Sequence, residues 1–362
     1  MIKGNKKWLL IISLPIFTFY IFLAPRPIPE ETVLKPLWVT SLELNNPLVL
    51  DDYTSQGSSG LLPFTLGNRF GYVADDGRFS INKVRDAYIS LSENYWAEYE
   101  TLPASIQVFG PTGESLLAIN DPKGYPLFLD NRIFIIGNEQ NSISLLGNMG
   151  EALWTFDFHS PITCVDAANG FLMAGTLDGV MVLLNSGGNP VFPPFEPGGS
   201  RLSLILGCAI SQDASRLALI SGIDNQRFLL LERGGDTYRV VYHEFLGSGF
   251  RRPVHITFAD NDTKVVFERV GGLGIYTINS RASNSISLDG EIVILDNSGD
   301  ERFLFLVTST GVSEKQLITI KFPATVINVA SFKSENAFMA RRDSRLYIGG
   351  DLTMASFEME RR

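Results

Sequence analysis

Asn169-Gly170-Phe171-Leu172-Met173-Ala174-Gly175-Thr176-Leu177-Asp178-Gly179-Val180 opens the second of two consecutive copies of one unit, which together fill residues 131–192. Sliding the chain by 38 residues lays Asn131 on Asn169, Gly137 on Gly175, Leu145 on Leu183, Gly150 on Gly188 and Trp154 on Phe192. Each copy reads as an apolar strand (133–136; 171–174), a turn, and a second strand (143–146; 180–184). A Gly-containing turn then leads to an aromatic residue that begins a third strand. Units near 40 residues, built only of short strands and Gly turns, cannot hide both of their apolar faces alone. They stack into a closed ring, a β-propeller.

Working outward from this pair, further units follow. Strands are expected at 208–210, 217–220 and 228–231, and a shift of 48 sets Ile210 on Phe258 and Leu217 on Val265. Two weaker units take 292–295, 303–307 and 316–320, then 326–332, 337–340 and 345–348, with 353–357 at the edge. On the other side, Gly67-Asn68-Arg69-Phe70 resembles Asp130-Asn131-Arg132-Ile133 at a shift of 63, whereas 110–114 meets 147–151 at a shift of 37. The difference implies an insertion of 26 residues over 79–104. The expected architecture is all-β: a seven-bladed propeller over 38–362, with six and eight left open by the weak last units. No stretch in this region sustains a helical period.

Before the ring, residues 1–7 carry Lys3, Lys6 and Lys7, and 8–24 follow with no charge. Seventeen uncharged residues suit a spanning helix or a long signal core, and Phe22 and Pro25 make a poor cleavage site. An uncleaved transmembrane helix is therefore expected, with the lysines cytoplasmic and the ring on the other side of the inner membrane, in a periplasm or its equivalent. Pro25, Pro27, Pro29 and Pro36 make 25–37 a stiff linker. Residues 38–44 alternate as a strand, expected to close the ring beside the last blade.

The repeat resembles the blade motif of PQQ-like, quinoprotein-type propellers, in which a strand ends in Gly-Thr, an Asp-Gly turn follows, and a short strand leads through a Gly turn to Trp. Phe192 in place of Trp, and Gln140-Asn141 in place of Asp-Gly, depart from it. Ser211-Gln212-Asp213-Ala214-Ser215-Arg216-Leu217-Ala218 is instead similar to the WD-repeat and TolB-like pattern. The resemblance implies the fold, and members range from dehydrogenases to assembly scaffolds. A quinoprotein enzyme would bring adjacent cysteines, calcium-binding carboxylates and an Asp base. Cys164 and Cys208 are far apart in sequence, so the quinone-site residues are missing and no cofactor is expected.

Composition excludes more than it selects. The formal net charge is -9, and -12 without the three N-terminal lysines, which argues against nucleic acid. Two cysteines cannot make a disulfide framework, although Cys164 and Cys208 lie on inner strands of consecutive blades and could approach each other, or bind a soft metal with His255. Asp260-Asn261-Asp262 and Asp296-Asn297-Ser298-Gly299-Asp300 lack the Gly and Glu of a calcium loop and read as turns. Gly271-Gly272-Leu273-Gly274 lacks the Lys-Ser/Thr of a phosphate loop. No catalytic or metal residues are assigned. The remaining candidates are Tyr95, Trp96 and Tyr99, an aromatic group in the expected insertion, suited to a protein partner or to a small ligand or carbohydrate. The functional expectation is a non-catalytic, membrane-tethered scaffold or binding platform in the cell envelope. A ligand sensor and a quinoprotein oxidoreductase are the alternatives.

Overall fold

The computed structural model describes residues 32–43, 60–247, 249–296 and 302–361. These residues form thirty strands in eight antiparallel sheets, without an α-helix. The sheets are eight blades, not the seven expected: 62–84, 88–120, 124–157, 162–184, 205–245, 256–287, 291–333, and 337–361 joined by 32–41. The apolar core gives the same number. Among the described residues it divides into eight clusters, one at each junction between neighbouring blades.

Alternation on each strand explains this division. In the strand Arg216–Ser221 of blade 5, Leu217 and Leu219 pack toward blade 4, while Ala218 and Ile220 pack toward blade 6. A strand buried on both faces shows an unbroken apolar run instead of a polar alternation. Gly-rich and Asp/Asn turns separate such runs; Asp130, Asn131 and Asn169 all adopt the left-handed conformation that these residue types tolerate best.

The extra blade comes from the stretch read as an insertion. Gly110 and Gly147 each close a turn from third to fourth strand with the same two hydrogen bonds (Gly110 N to Glu114 O and Gly113 N to Gly110 O; Gly147 N to Glu151 O and Gly150 N to Gly147 O). The shift of 37 therefore joins like with like. Ala74 and Gly77 make the same pattern in blade 1. Gly67-Asn68 thus joins second to third strand, and its match to Asp130-Asn131, which joins first to second, pairs unlike turns. Position in the ring agrees: Arg342, ending the first strand of blade 8, donates to Leu61 O at 2.8 Å, while Gly67 lies beside Asn336 at that strand's other end. Residues 79–104 are no loop. Phe79–Val84 ends blade 1, and Tyr88–Leu91 and Trp96–Tyr99 begin blade 2.

Ring closure follows the expectation, with a longer strand. Thr32–Ser41 pairs antiparallel with Thr353–Arg361 as the outermost strand of blade 8, so Thr353–Arg361 is not an edge. Thr32 to Leu37, read as linker, belong to this strand. Pro36 is accommodated because it sits on an outer strand at a register shift between Pro36 and Trp38. The expected spanning helix over 8–24 lies outside the described residues, and no helix among the described residues is long and apolar enough to cross a membrane.

Blade 4 has three regular strands. Pro190 to Phe195 fill the fourth position through bonds of Val191 N to Leu183 O (2.9 Å) and between Met181 and Phe195 (2.9 and 2.8 Å). Pro190, Pro193 and Pro194 lack the N–H groups for a continuous ladder.

An aromatic wedge between adjacent blades is present twice in one geometry. Trp154 of blade 3 lies against Gly188 of blade 4 and donates from Nε1 to Ser186 O at 2.9 Å. Trp38 of blade 8 lies against Gly77 of blade 1 and donates to Asp75 O at 2.8 Å. A Cβ on Gly77 would stand 2.9 Å from the Trp38 ring, and the φ of +84° there disfavours any other residue. Trp38→Ala and Trp154→Ala are each expected to cost about 2–4 kcal/mol, the lower part of the range for aromatic truncation because both rings keep some exposure. Urea unfolding monitored by circular dichroism checks this, and a cost below about 0.5 kcal/mol for both would overturn the wedge.

Candidate binding groove between blades 2 and 3

First strands of successive blades approach one another around the ring axis. The turns joining first to second strands and third to fourth strands gather at one end. There, between blades 2 and 3, lies a groove of about 740 Å³. Its walls are the strand Ser115–Asn120 of blade 2 and two turns of blade 3.

Local chemistry holds each wall in place. The Glu151 carboxylate accepts the Met149 N–H at 3.0 Å, which fixes the 147–151 turn and leaves the Met149 side chain 84% exposed. Gly150 (φ +81°) lets that turn rest on blade 2, since a Cβ would stand 3.0 Å from Ala118 O. Leu116 (46% exposed) and Leu153 (58%) extend the apolar rim, with Leu117, Leu145 and Leu146 behind them. Asn94 Nδ2 donates to Asn131 Oδ1 at 2.9 Å and links the two blades. Arg132 forms part of the floor. Its guanidinium pairs with Asp130 at 3.0 Å and donates to Gly170 O and Phe171 O of blade 4. Burial lowers its pKa while Asp130 opposes the shift, so this cation is committed to joining blades.

The three aromatic residues singled out from sequence do not share a surface. Tyr95 lines the groove and packs on Phe128 with ring centroids 5.6 Å apart. Trp96 is 2% exposed between blades 1 and 2, stacked on Phe109 at 4.5 Å, with Nε1 donating to Gly110 O at 2.9 Å. Tyr99 points to the same junction as Tyr95 but at the opposite end of its strand, in a stack between Tyr88 and Tyr125 (5.9 and 6.3 Å). The sequence reading passed over Leu116, Met149 and Leu153. The available signal was apolar residues at positions of outer strands and turns where the pattern calls for polar ones.

A second hollow, of about 760 Å³, spans blades 7, 8 and 1 at the other end. It is lined by turn groups already engaged with one another. Asp351 accepts from the N–H groups of Glu335 and Asn336, and these bonds hold its carboxyl below the usual range. The groove between blades 2 and 3 has the larger exposed apolar wall and is the better binding candidate.

Along the axis, blades 4 and 5 are tied by side chains. Asp166 Oδ2 accepts the Ile210 N–H at 2.8 Å, and Thr163 Oγ1 lies 2.6 Å from Ile205 O. Both bonds satisfy backbone groups on inner strand edges, which have no further strand to pair with. Cys164 and Cys208 lie at this junction as free thiols. Among the described residues no group of three or more His, Cys, Asp and Glu is placed to hold a metal ion.

The arrangement defines an all-β ring protein with a candidate groove between two of its blades. The chain belongs to the family described as beta-propeller protein, whose model matches residues 1–361. A relative from Treponema pallidum (strain Nichols), described as an uncharacterized protein, is 24% identical over 364 residues, spanning 99% of this chain and 95% of the relative. Among solved structures, BamB from Moraxella catarrhalis superposes with a TM-score of 0.60 at 13% identity, covering 90% of this chain and all of the other. The computationally designed Ika8 protein gives 0.58 at 14% identity, covering 83% and 97%. At these identities the two structures speak for the fold alone.

Burial raises the Asp166 pKa, and the N–H groups of Ile210 and Ala167 only partly offset it. A raised folded value favours the neutral acid in the native state. That contribution is complete below the unfolded value of about 3.9 and is lost as pH climbs through the folded value. Asp166→Asn keeps an acceptor for Ile210 without the buried charge but turns its NH2 toward the Ala167 N–H, so it is expected to lose clearly less stability at pH 7 than Asp166→Ala. It should also flatten the pH dependence just above 4. Asp166→Ala orphans the N–H and is expected to cost about 1–3 kcal/mol. Denaturant midpoints from pH 4 to 8 test both, and equal losses for Asn and Ala would refute the assignment.

Proposed function

We propose that this chain is a non-catalytic, protein-binding platform that works outside the cytoplasm, with envelope assembly or maintenance as its setting. The observation that carries the reading is the apolar rim of the groove between blades 2 and 3. Leu116, Met149 and Leu153 are held in solvent by strands and a capped turn, at positions where exposure gains nothing for folding. Contiguous exposed apolar side chains beside polar backbone and Asn131 are the composition of a protein contact, with Tyr95 as an aromatic anchor at its base. The surrounding ring is rigid, so little ordering entropy is lost on binding.

Location rests on sequence. Lys3, Lys6 and Lys7 followed by seventeen uncharged residues form the charge pattern of a segment that directs a chain to a membrane. The non-catalytic part rests on the lack of adjacent cysteines and of any nucleophile in a recognised setting. A sugar platform built from Tyr95, Trp96 and Tyr99 has no support, because Trp96 is enclosed and the two tyrosines occupy opposite ends of the strand.

A photo-crosslinking residue at position 149, in cells producing the full chain, is expected to give a discrete adduct. The same residue at Val312, also strongly exposed but at the far end, should not. Met149→Glu with Leu153→Glu should abolish an adduct formed from position 116 with the melting temperature unchanged. Equal crosslinking from 149 and 312, or an adduct that survives the double substitution, would remove the groove from the proposal. For location, a reporter active only outside the cytoplasm is expected to be active when fused after Arg362, and activity of a cytoplasm-only reporter there would overturn it.

A further inference from the structure

The junction between blades 4 and 5 brings the chain's two cysteines side by side, the approach that their sequence positions left open. They are 44 residues apart, on Ile162–Ala168 and Ile205–Ile210, the first strands of neighbouring blades. Both strands run in the same direction along the axis. The bond from Ile210 N to Asp166 sets their register, and each of those residues lies two positions beyond a cysteine. Residues two apart on a strand share a face. Cys164 and Cys208 are therefore abreast at the same junction, where Cys208 Sγ donates to Met173 O at 4.0 Å.

The surroundings leave room for a covalent bond. Gly175 pairs with Cys164, and a Cβ on it would stand 2.8 Å from Cys164 Sγ and 2.6 Å from Ile205 Cβ. Any larger residue would push the strands or the thiols apart. The two strands also run close together, with Cα atoms within 8 Å of one another, and a disulfide needs Cα atoms about 4.4–6.8 Å apart.

We propose that Cys164 and Cys208 are a disulfide-forming pair that staples blade 4 to blade 5 when the protein meets a small-molecule disulfide. The order of events follows from access. Cys208 is 8% exposed, and the neighbouring Cys164 thiol, together with burial, pushes its thiol pKa up. Cys164 is partly exposed and reacts first. Its thiolate attacks one sulfur of the oxidant, forming a mixed disulfide and releasing one thiol. Cys208 then gives up its proton and attacks Cys164 Sγ, releasing the second thiol. The balance is two protein thiols and one small disulfide giving one protein disulfide and two small thiols.

The test uses the full chain, purified with reductant, desalted, and treated in its native state with oxidised glutathione. After denaturation and blocking of free thiols, non-reducing peptide mapping is expected to find 164 and 208 in one linked species, lighter by two hydrogens. The melting temperature should rise by several degrees and return on adding reductant. In Cys208→Ser, Cys164 should stop at the glutathione adduct; in Cys164→Ser, Cys208 should stay unmodified. Two free thiols after treatment, or separate adducts on both cysteines of the unaltered protein, would overturn the proposal. The mapping of the unaltered protein decides the matter even where a variant fails to fold.

Discussion

The structure depends on the pairing of Thr32–Ser41 with Thr353–Arg361. A blade has two apolar faces and no means of covering either by itself, so every blade relies on both neighbours. In an open stack the first and last blades would each present a bare face. One strand from the start of the chain completes the last blade and brings it against blade 1, where Trp38, Phe64, Phe79 and Tyr347 bury the seam. Ring geometry converts eight incomplete sheets into a body with no terminal blade.

The groove follows from the same rule. Packing between blades is tight near the axis, where first strands are closely spaced, and opens outward as the blades diverge. Between blades 2 and 3 the divergence is filled on one side by the capped turn at 147–151 and on the other by the strand Ser115–Asn120, leaving Leu116, Met149 and Leu153 around a hollow. The scaffold sets the spacing of these side chains. Turn chemistry, chiefly Glu151 and Gly150, sets their direction.

Much of this was legible in the chain. The repeat over 131–192 corresponds to blades 3 and 4, the strands expected at 217–220, 265 onward and 303–307 are present, and the aromatic that follows the Gly150 turn, Trp154, packs on blade 4. The count was misread for a physical reason. Gly67 in one turn and Asp130 and Asn131 in the other adopt positive φ, and the residue types alone do not distinguish a turn between first and second strands from one between second and third. Only the bonds to neighbouring blades assign each turn, and those join residues far apart in sequence. The site was less legible still. Tyr95 and Trp96 are adjacent in sequence, yet Tyr95 packs toward blade 3 and Trp96 is enclosed against blade 1. Exposed leucines carry no signature until the ring decides which strand faces water.

Closure by an antiparallel ladder also sets how the ring responds to load. Thr32 is paired with Arg361, so the ladder begins and ends its count with both strand termini on the same side of the disc. Tension between those two points peels pairs apart one after another, as a zipper opens, and does not shear the whole ladder at once. The irregularity at Pro36 lies only four residues into the peel. The seam that makes the wheel continuous therefore opens pair by pair under a load on its two ends.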